Sequence, residues 1–168
     1  ACLSFVFASV TSAADFKALF GDSLTDRDGK PVSTEALNGK IVGVYFSASW
    51  CPPCRAFTPS LVQFRNRYSQ EFEVVFVSSD RSADDQAKYM KDYRMKWLTL
   101  PHDSPLVREL KSRFSVSGIP KLVILSPNGS VITENGRGEL NSGSPSKTMS
   151  EWREAAQKRP GSGPMSVM

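Results

Sequence analysis

Cys51 and Cys54 stand three residues apart in the segment Trp50-Cys51-Pro52-Pro53-Cys54-Arg55, and their spacing carries the most legible chemistry in the chain. The segment lies where an apolar run, Ile41 to Phe46 (IVGVYF), hands over to a stretch with Phe57, Leu61 and Phe64 at helical spacing. Pro52 and Pro53 fit the first turn of that helix, where the backbone N–H has no intrahelical acceptor anyway. Cys51 then sits at a helix N-terminus, where unpaired N–H groups and the positive end of the dipole favour a thiolate. A three-residue step within one turn brings both sulfurs to one face at disulfide-forming distance, so the pair can alternate between dithiol and disulfide. Arg55 adds a positive charge nearby that also favours a thiolate. These residues point to Cys51 as attacking nucleophile and Cys54 as resolving thiol.

Two other uses of such a pair are a structural zinc knuckle and an inert structural disulfide. Zinc takes about four ligands, and Cys2 and His102 would have to join from remote, unpatterned positions. Pro53 also removes an N–H that a knuckle would aim at the metal-bound sulfur. Redox chemistry is therefore favoured, with no metal or organic cofactor required. An inert disulfide has the same spacing, but a loop this short facing a helix dipole is more often labile than structural. His102 follows Pro101 in a loop-like stretch and is expected to be a solvated turn residue.

The elements that must position this pair follow from the flanking pattern. Asp15 to Phe20 is expected as a short helix stopped by Gly21, followed by a hairpin of Ser23 to Thr25 and Pro31 to Ser33 around Asp-Arg-Asp-Gly. Thr34 to Asn38 makes one helical turn before the central strand Ile41 to Phe46, and a helix runs from Pro52 to Tyr68. Phe72 to Val77 (FEVVFV) is a second buried strand. Ser82 caps a helix to about Tyr93, and Ser104 with Pro105 opens another to Phe114. Lys121 to Ser126 and Ser130 to Thr133, joined by Pro-Asn-Gly, form a hairpin; Asn141 to Lys147 is expected as a polar loop, and Ser150 to Lys158 as a closing helix. Strands separated by helices pair in parallel and hairpins add antiparallel edges, which predicts an α/β fold with a mixed central sheet flanked by helices.

Composition sets the outer bounds. The 168 residues, 40% hydrophobic and 23% charged, close one core and are too few for two ordinary domains. Twenty-one Lys and Arg against 17 Asp and Glu give a formal charge of +4, with the basic residues scattered among acids. No basic stripe with interleaved aromatics points to nucleic acid, and no run reaches the roughly 18 apolar residues that span a bilayer. Residues 1–14 are expected as an N-terminal extension or leader remnant, residues 15–158 as the domain and 159–168 as a flexible tail. Cys2 is the odd thiol of three, a bystander in that extension. This reading favours the cytoplasm, or an extracytoplasmic compartment if residues 1–13 remain from a cleaved leader. A monomer is the default for a domain of this size.

The motif WCPPC after an apolar strand, followed by an amphipathic helix and then by Gly118-Ile119-Pro120, resembles the thioredoxin superfamily. Val44 to Pro59 (VYFSASWCPPCRAFTP) and Val74 to Ser82 (VVFVSSDRS) narrow the resemblance to the nucleoredoxin and tryparedoxin branch, over about Asp15 to Arg137. The resemblance implies a thioredoxin fold with an N-terminal hairpin extension, in which Pro120 is cis, faces the disulfide and frees its neighbours' carbonyl and N–H for an extended substrate chain. It also implies that Trp50 covers the site's edge and that Ile119 and Arg137 contact substrate. The implied activity is reduction of protein disulfides, with an upstream dithiol or a thioredoxin-reductase-type donor.

The chain departs from that pattern in places. Many thioredoxins carry a buried carboxylate in the strand before the motif to accept the resolving thiol's proton; here the position is Tyr45, and Asp80 is the candidate to serve instead. Ser79 stands where tryparedoxins tend to have Trp, which argues against trypanothione as donor. The branch's aromatic, proline-containing C-terminal segment is replaced by Asn141 to Lys147 and a helix around Trp152. Two alternatives remain open: a redox-switched partner-binding module, and an extracytoplasmic thioredoxin of the cytochrome-maturation type.

Overall fold

The computed structural model describes residues 14–158; Cys2, the expected leader remnant and the expected tail lie outside the described residues. The order is α1 (Ala14–Phe20), β1 (Ser23–Thr25), β2 (Pro31–Ser33), a 3-10 turn (Thr34–Leu37), β3 (Ile41–Ser47), α2 (Pro52–Arg67), β4 (Phe72–Ser78) and α3 (Ala83–Asp92). It continues with β5 (Leu98–Thr99), α4 (Leu106–Arg113), β6 (Lys121–Leu125), β7 (Val131–Thr133), α5 (Gly136–Ser142) and α6 (Pro145–Gln157). The strands form one mixed seven-stranded sheet in the order β2-β1-β5-β4-β3-β6-β7. Strand β3 pairs in parallel with β4 and antiparallel with β6, while the two hairpins supply antiparallel pairs at the edges. This is a thioredoxin fold.

The two apolar runs become the sheet's centre because every residue of β3 and β4 is buried on one face or the other. Val42, Val44, Phe46, Val75 and Val77 face a core shared with Phe16, Leu19 and Phe20 of α1 and Leu110 of α4. Tyr45, Val74 and Phe76 face the opposite core, which takes Phe57, Leu61 and Phe64 of α2, Tyr89 and Met90 of α3, and Met149 and Trp152 of α6. The period-2 alternation of the strands thus assigns each helix to a layer.

One expectation is corrected. Residues 141–147 are not a polar loop: Asn141 and Ser142 end α5, Pro145 opens α6, and only Gly143 and Ser144 lie between them. Ser144 Oγ accepts the Lys147 N–H at 3.3 Å and Pro145 occupies the first turn, so the closing helix starts five residues before the expected Ser150. The helix that this polar segment opens buries Met149 and Trp152, with Thr148 beside them donating its hydroxyl to the Glu139 carbonyl at 3.3 Å. Strand β5, too short to leave a periodic signal, was not among the expected elements. It pairs with β4 on one side and, through Thr25 and Thr99, with β1 on the other, so the N-terminal hairpin continues the sheet. Among the described residues no helix is long and apolar enough to cross a membrane.

Trp152 is 2% exposed and meets Phe64 and Phe72 with ring centroids 5.4 and 5.8 Å away. Trp152→Ala should lower unfolding free energy by about 3–5 kcal/mol, read from urea denaturation. A loss under about 1 kcal/mol would mean that α6 contributes little to the core.

Candidate active site

The parallel register of β3 and β4 ends with Ser47 opposite Ser78, so residues 48–55 and 79–81 leave the sheet at the same end. Cys51 is the N-cap of α2, with Pro52 and Pro53 in its first turn and exposed to solvent. Cys51 Sγ accepts the backbone N–H of Cys54 at 3.3 Å, as an N-cap side chain does for an N3 donor. The two cysteines form a disulfide with Cα atoms 5.2 Å apart. Cys51 is 5% exposed and Cys54 0%, so the first sulfur sits toward the surface and the second is sealed beneath it.

The Ile119–Pro120 peptide bond is cis, and the Ile119 carbonyl oxygen lies 3.8 Å from Cys51 Sγ. Ile119 is half-buried against Ala48 and the two cysteines, while Pro120 is buried. Trp50 is 49% exposed, and its Nε1 donates to the Ser79 carbonyl at 3.0 Å, which fixes the indole beside the cysteines. Arg55 is exposed, and its Nη1 donates to the Ser49 carbonyl at 2.7 Å.

Asp80 is 6% exposed. Its Oδ1 accepts the N–H and hydroxyl of Ser49 at 2.8 and 2.5 Å, and its Oδ2 accepts the Ser78 hydroxyl at 2.6 Å. Among the described residues no hydrogen bond joins Asp80 to either cysteine; it holds the Ser49 turn that delivers Trp50 and Cys51. His102 lies in a turn as expected but is half-buried rather than solvated: its Nε2 lies 2.7 Å from the Asp80 carbonyl, which ties the loop before α4 to the Ser49 turn. Arg137 lies not in a loop but in the first turn of α5. Gly136 before it packs so closely that a Cβ would come within 2.9 Å of Ile124 and 3.0 Å of Leu122, which seats α5 directly on β6.

Residues 38–131 match a family model described as thioredoxin-like. Nucleoredoxin of Mus musculus is 40% identical over 129 residues, covering 74% of this chain and 29% of that protein. A thioredoxin from Wuchereria bancrofti superposes with a TM-score of 0.70 at 40% identity, covering 82% of this chain and 98% of the other. Tryparedoxin II from C. fasciculata gives 0.71 at 36% identity, covering 78% and 89%. The chain belongs to the thioredoxin superfamily, in its nucleoredoxin and tryparedoxin branch. It spans less than a third of the mouse nucleoredoxin it matches.

Within this thioredoxin-like domain, the core beneath Cys54 holds hydroxyls. Thr58 Oγ1 donates to the Cys54 carbonyl at 2.8 Å and lies 2.8 Å from Tyr45 Oη and 2.7 Å from Tyr89 Oη. Tyr45 Oη also reaches the Cys54 carbonyl at 3.4 Å, and Tyr89 Oη lies 2.9 Å from Ser47 Oγ. The network ties β3, α2 and α3 together under the resolving cysteine. Of its members the sequence singled out only Tyr45. Thr58 left a signal: four residues after Cys54, it lies on the same helix face at a core-facing position. Tyr89 and Ser47 left none, because only the packing of α3 on the sheet brings them there.

Burial, first, raises the pKa of Tyr45 and of Tyr89, so both phenols stay neutral through the physiological range. The raised folded-state values mean that this stabilisation is complete below the unfolded tyrosine pKa of about 10 and is lost as pH rises above it. Tyr45→Phe should cost about 1 kcal/mol at neutral pH and make the alkaline loss of stability shallower, as seen in denaturant unfolding across pH. Thr58→Val removes the hub and should cost about 2–3 kcal/mol; equal costs for the two variants would refute the hub.

Proposed function

We propose that this domain is a dithiol-disulfide oxidoreductase that reduces protein disulfides through Cys51 and Cys54. The observation that supports this most directly is the Cys54 N–H aimed at Cys51 Sγ: a donor placed at a helix N-terminus stabilises negative charge on that sulfur. In the reduced protein the Cys51 thiolate attacks one sulfur of a substrate disulfide, forming a mixed disulfide and expelling the other substrate sulfur as a thiolate. The expelled substrate thiolate takes up the Cys54 proton, and the Cys54 thiolate attacks Cys51 Sγ. This closes the Cys51–Cys54 disulfide, releases the second substrate thiolate and leaves the substrate reduced by two electrons. An upstream dithiol or thioredoxin-reductase-type donor returns those electrons.

Ile119 and cis-Pro120 supply the backbone edge against which an extended substrate segment pairs, with Trp50 as an apolar wall and Arg137 as a charged contact. Asp80 acts in this reading by holding the Ser49 turn, since its oxygens are already engaged by Ser49 and Ser78. The exposed Trp50 also suits a second reading, in which the groove holds a partner and the cysteine state is the switch.

Alkylation of each cysteine in the reduced protein, followed against pH by peptide mass, should show Cys51 titrating well below the free-thiol value of about 8.5 and Cys54 protected. Cys51→Ser should abolish reduction of a model protein disulfide, and full activity in that variant would sink the mechanism. Partners recovered only by Cys54→Ser, as mixed disulfides, would decide for catalysis; oxidation-dependent capture by the wild type without turnover would decide for the binding module.

A further inference from the structure

Gln86 of α3 is 4% exposed, yet only half of its amide is used. Its Nε2 donates to Thr99 Oγ1 at 2.8 Å and to the Leu100 carbonyl at 3.0 Å. A carbonyl only accepts, so this end of the amide is the nitrogen and the other end is Oε1. Among the described residues no group donates to that oxygen. A buried acceptor without a donor is costly, and a ligand N–H placed there makes a bond that folding left unmade.

Gln86 also lines a cavity of about 490 Å³ between α3 and the β1–β2 turn, a size that suits a small ligand or one long side chain. Ala87, Met90 and Pro101 give the cavity an apolar surface, with the buried Thr99 beside Gln86. Asp26, Asp28, Asp84 and Asp103 stand around it against Arg27 and Lys91, which leaves the balance negative. One oxygen of Asp26 is engaged by the N–H groups of Asp28 and Lys30 at 2.8 and 2.9 Å, inside the β1–β2 turn. An anion meets neither the charge nor the acceptor. A guanidinium matches paired acceptors with its planar fork, whereas an ammonium is a compact charge with three donors on an alkyl stem. A single amide oxygen above an apolar surface, ringed by carboxylates, fits the second.

We infer that this cavity binds an alkylammonium group, from a free amine or from a lysine of another protein, with its nitrogen toward Gln86 Oε1 and its stem along Ala87, Met90 and Pro101. This binding does not depend on the reductase reading above.

His102 is the chain's single histidine and lines the cavity, so its imidazole NMR signals report occupancy. At fixed pH and ionic strength, n-butylammonium chloride should shift them saturably and bind about tenfold more tightly than tetramethylammonium, which has the charge without an N–H. Sodium butyrate should give no saturable shift. Gln86→Leu should weaken n-butylammonium binding about tenfold. Asp84→Lys, on the exposed first turn of α3, keeps the buried amide and should weaken it about fivefold. N-acetyl-lysine methylamide separates the two sources: binding at least as tight as that of n-butylammonium assigns the cavity to a protein lysine, and weaker binding assigns it to a free amine. No saturable shift with either amine, equal affinity for tetramethylammonium, or unchanged affinity in a folded variant overturns the inference.

Discussion

A single hydrogen bond organises this molecule: the N–H of Cys54, third residue of α2, points at the sulfur of Cys51, its N-cap. Helix N-termini have four donors to satisfy, and here one of them is satisfied by a cysteine sulfur rather than a hydroxyl or carboxylate. The bond requires that α2 begin at Pro52 and that β3 end a few residues earlier on the same side of the sheet. It also requires a rigid turn between them. Nearly every other feature of the site serves one of these conditions.

The turn is held from three directions. Asp80 takes the Ser49 N–H and hydroxyl, Arg55 takes the Ser49 carbonyl, and His102 reaches the Asp80 carbonyl from the loop before α4. Residues from α2 and from the end of β4 thus converge on one serine, and a distant loop braces Asp80. The helix is held from below by Thr58, which joins the Cys54 carbonyl to two tyrosines and through them to β3 and α3. Buried hydroxyls that satisfy one another fix geometry without a buried charge, whose desolvation would be far more costly. Tyr45, neutral through the physiological range, therefore gives Cys54 a rigid seat without placing a charge in the core.

Much of this was legible in the chain. The WCPPC motif, the helix it starts, the two apolar strands and the terminal hairpins follow from period and turn chemistry, because local patterns determine local structure. The resemblance supplied Pro120 and its cis bond, which no local rule distinguishes from a trans loop proline. The closing segment misled because Gly143, Ser144 and Pro145 carry loop composition. In the fold Ser144 and Pro145 are helix-start residues, and the buried Trp152 two turns later gives them that meaning.

Sequence by itself determined which atoms do the chemistry: two thiols three residues apart at a strand-to-helix junction, with a positive side chain after them. Tertiary structure decided everything that depends on residues far apart in the chain. It set Asp80 on the Ser49 turn, put His102 on the Asp80 carbonyl, and assembled Ser47, Thr58 and Tyr89 into one network. The physical reason is the same in each case: spacing along a chain fixes neighbours within a turn or a strand. A side chain's partner across 30 or 40 residues is chosen by which helix packs on which face of the sheet.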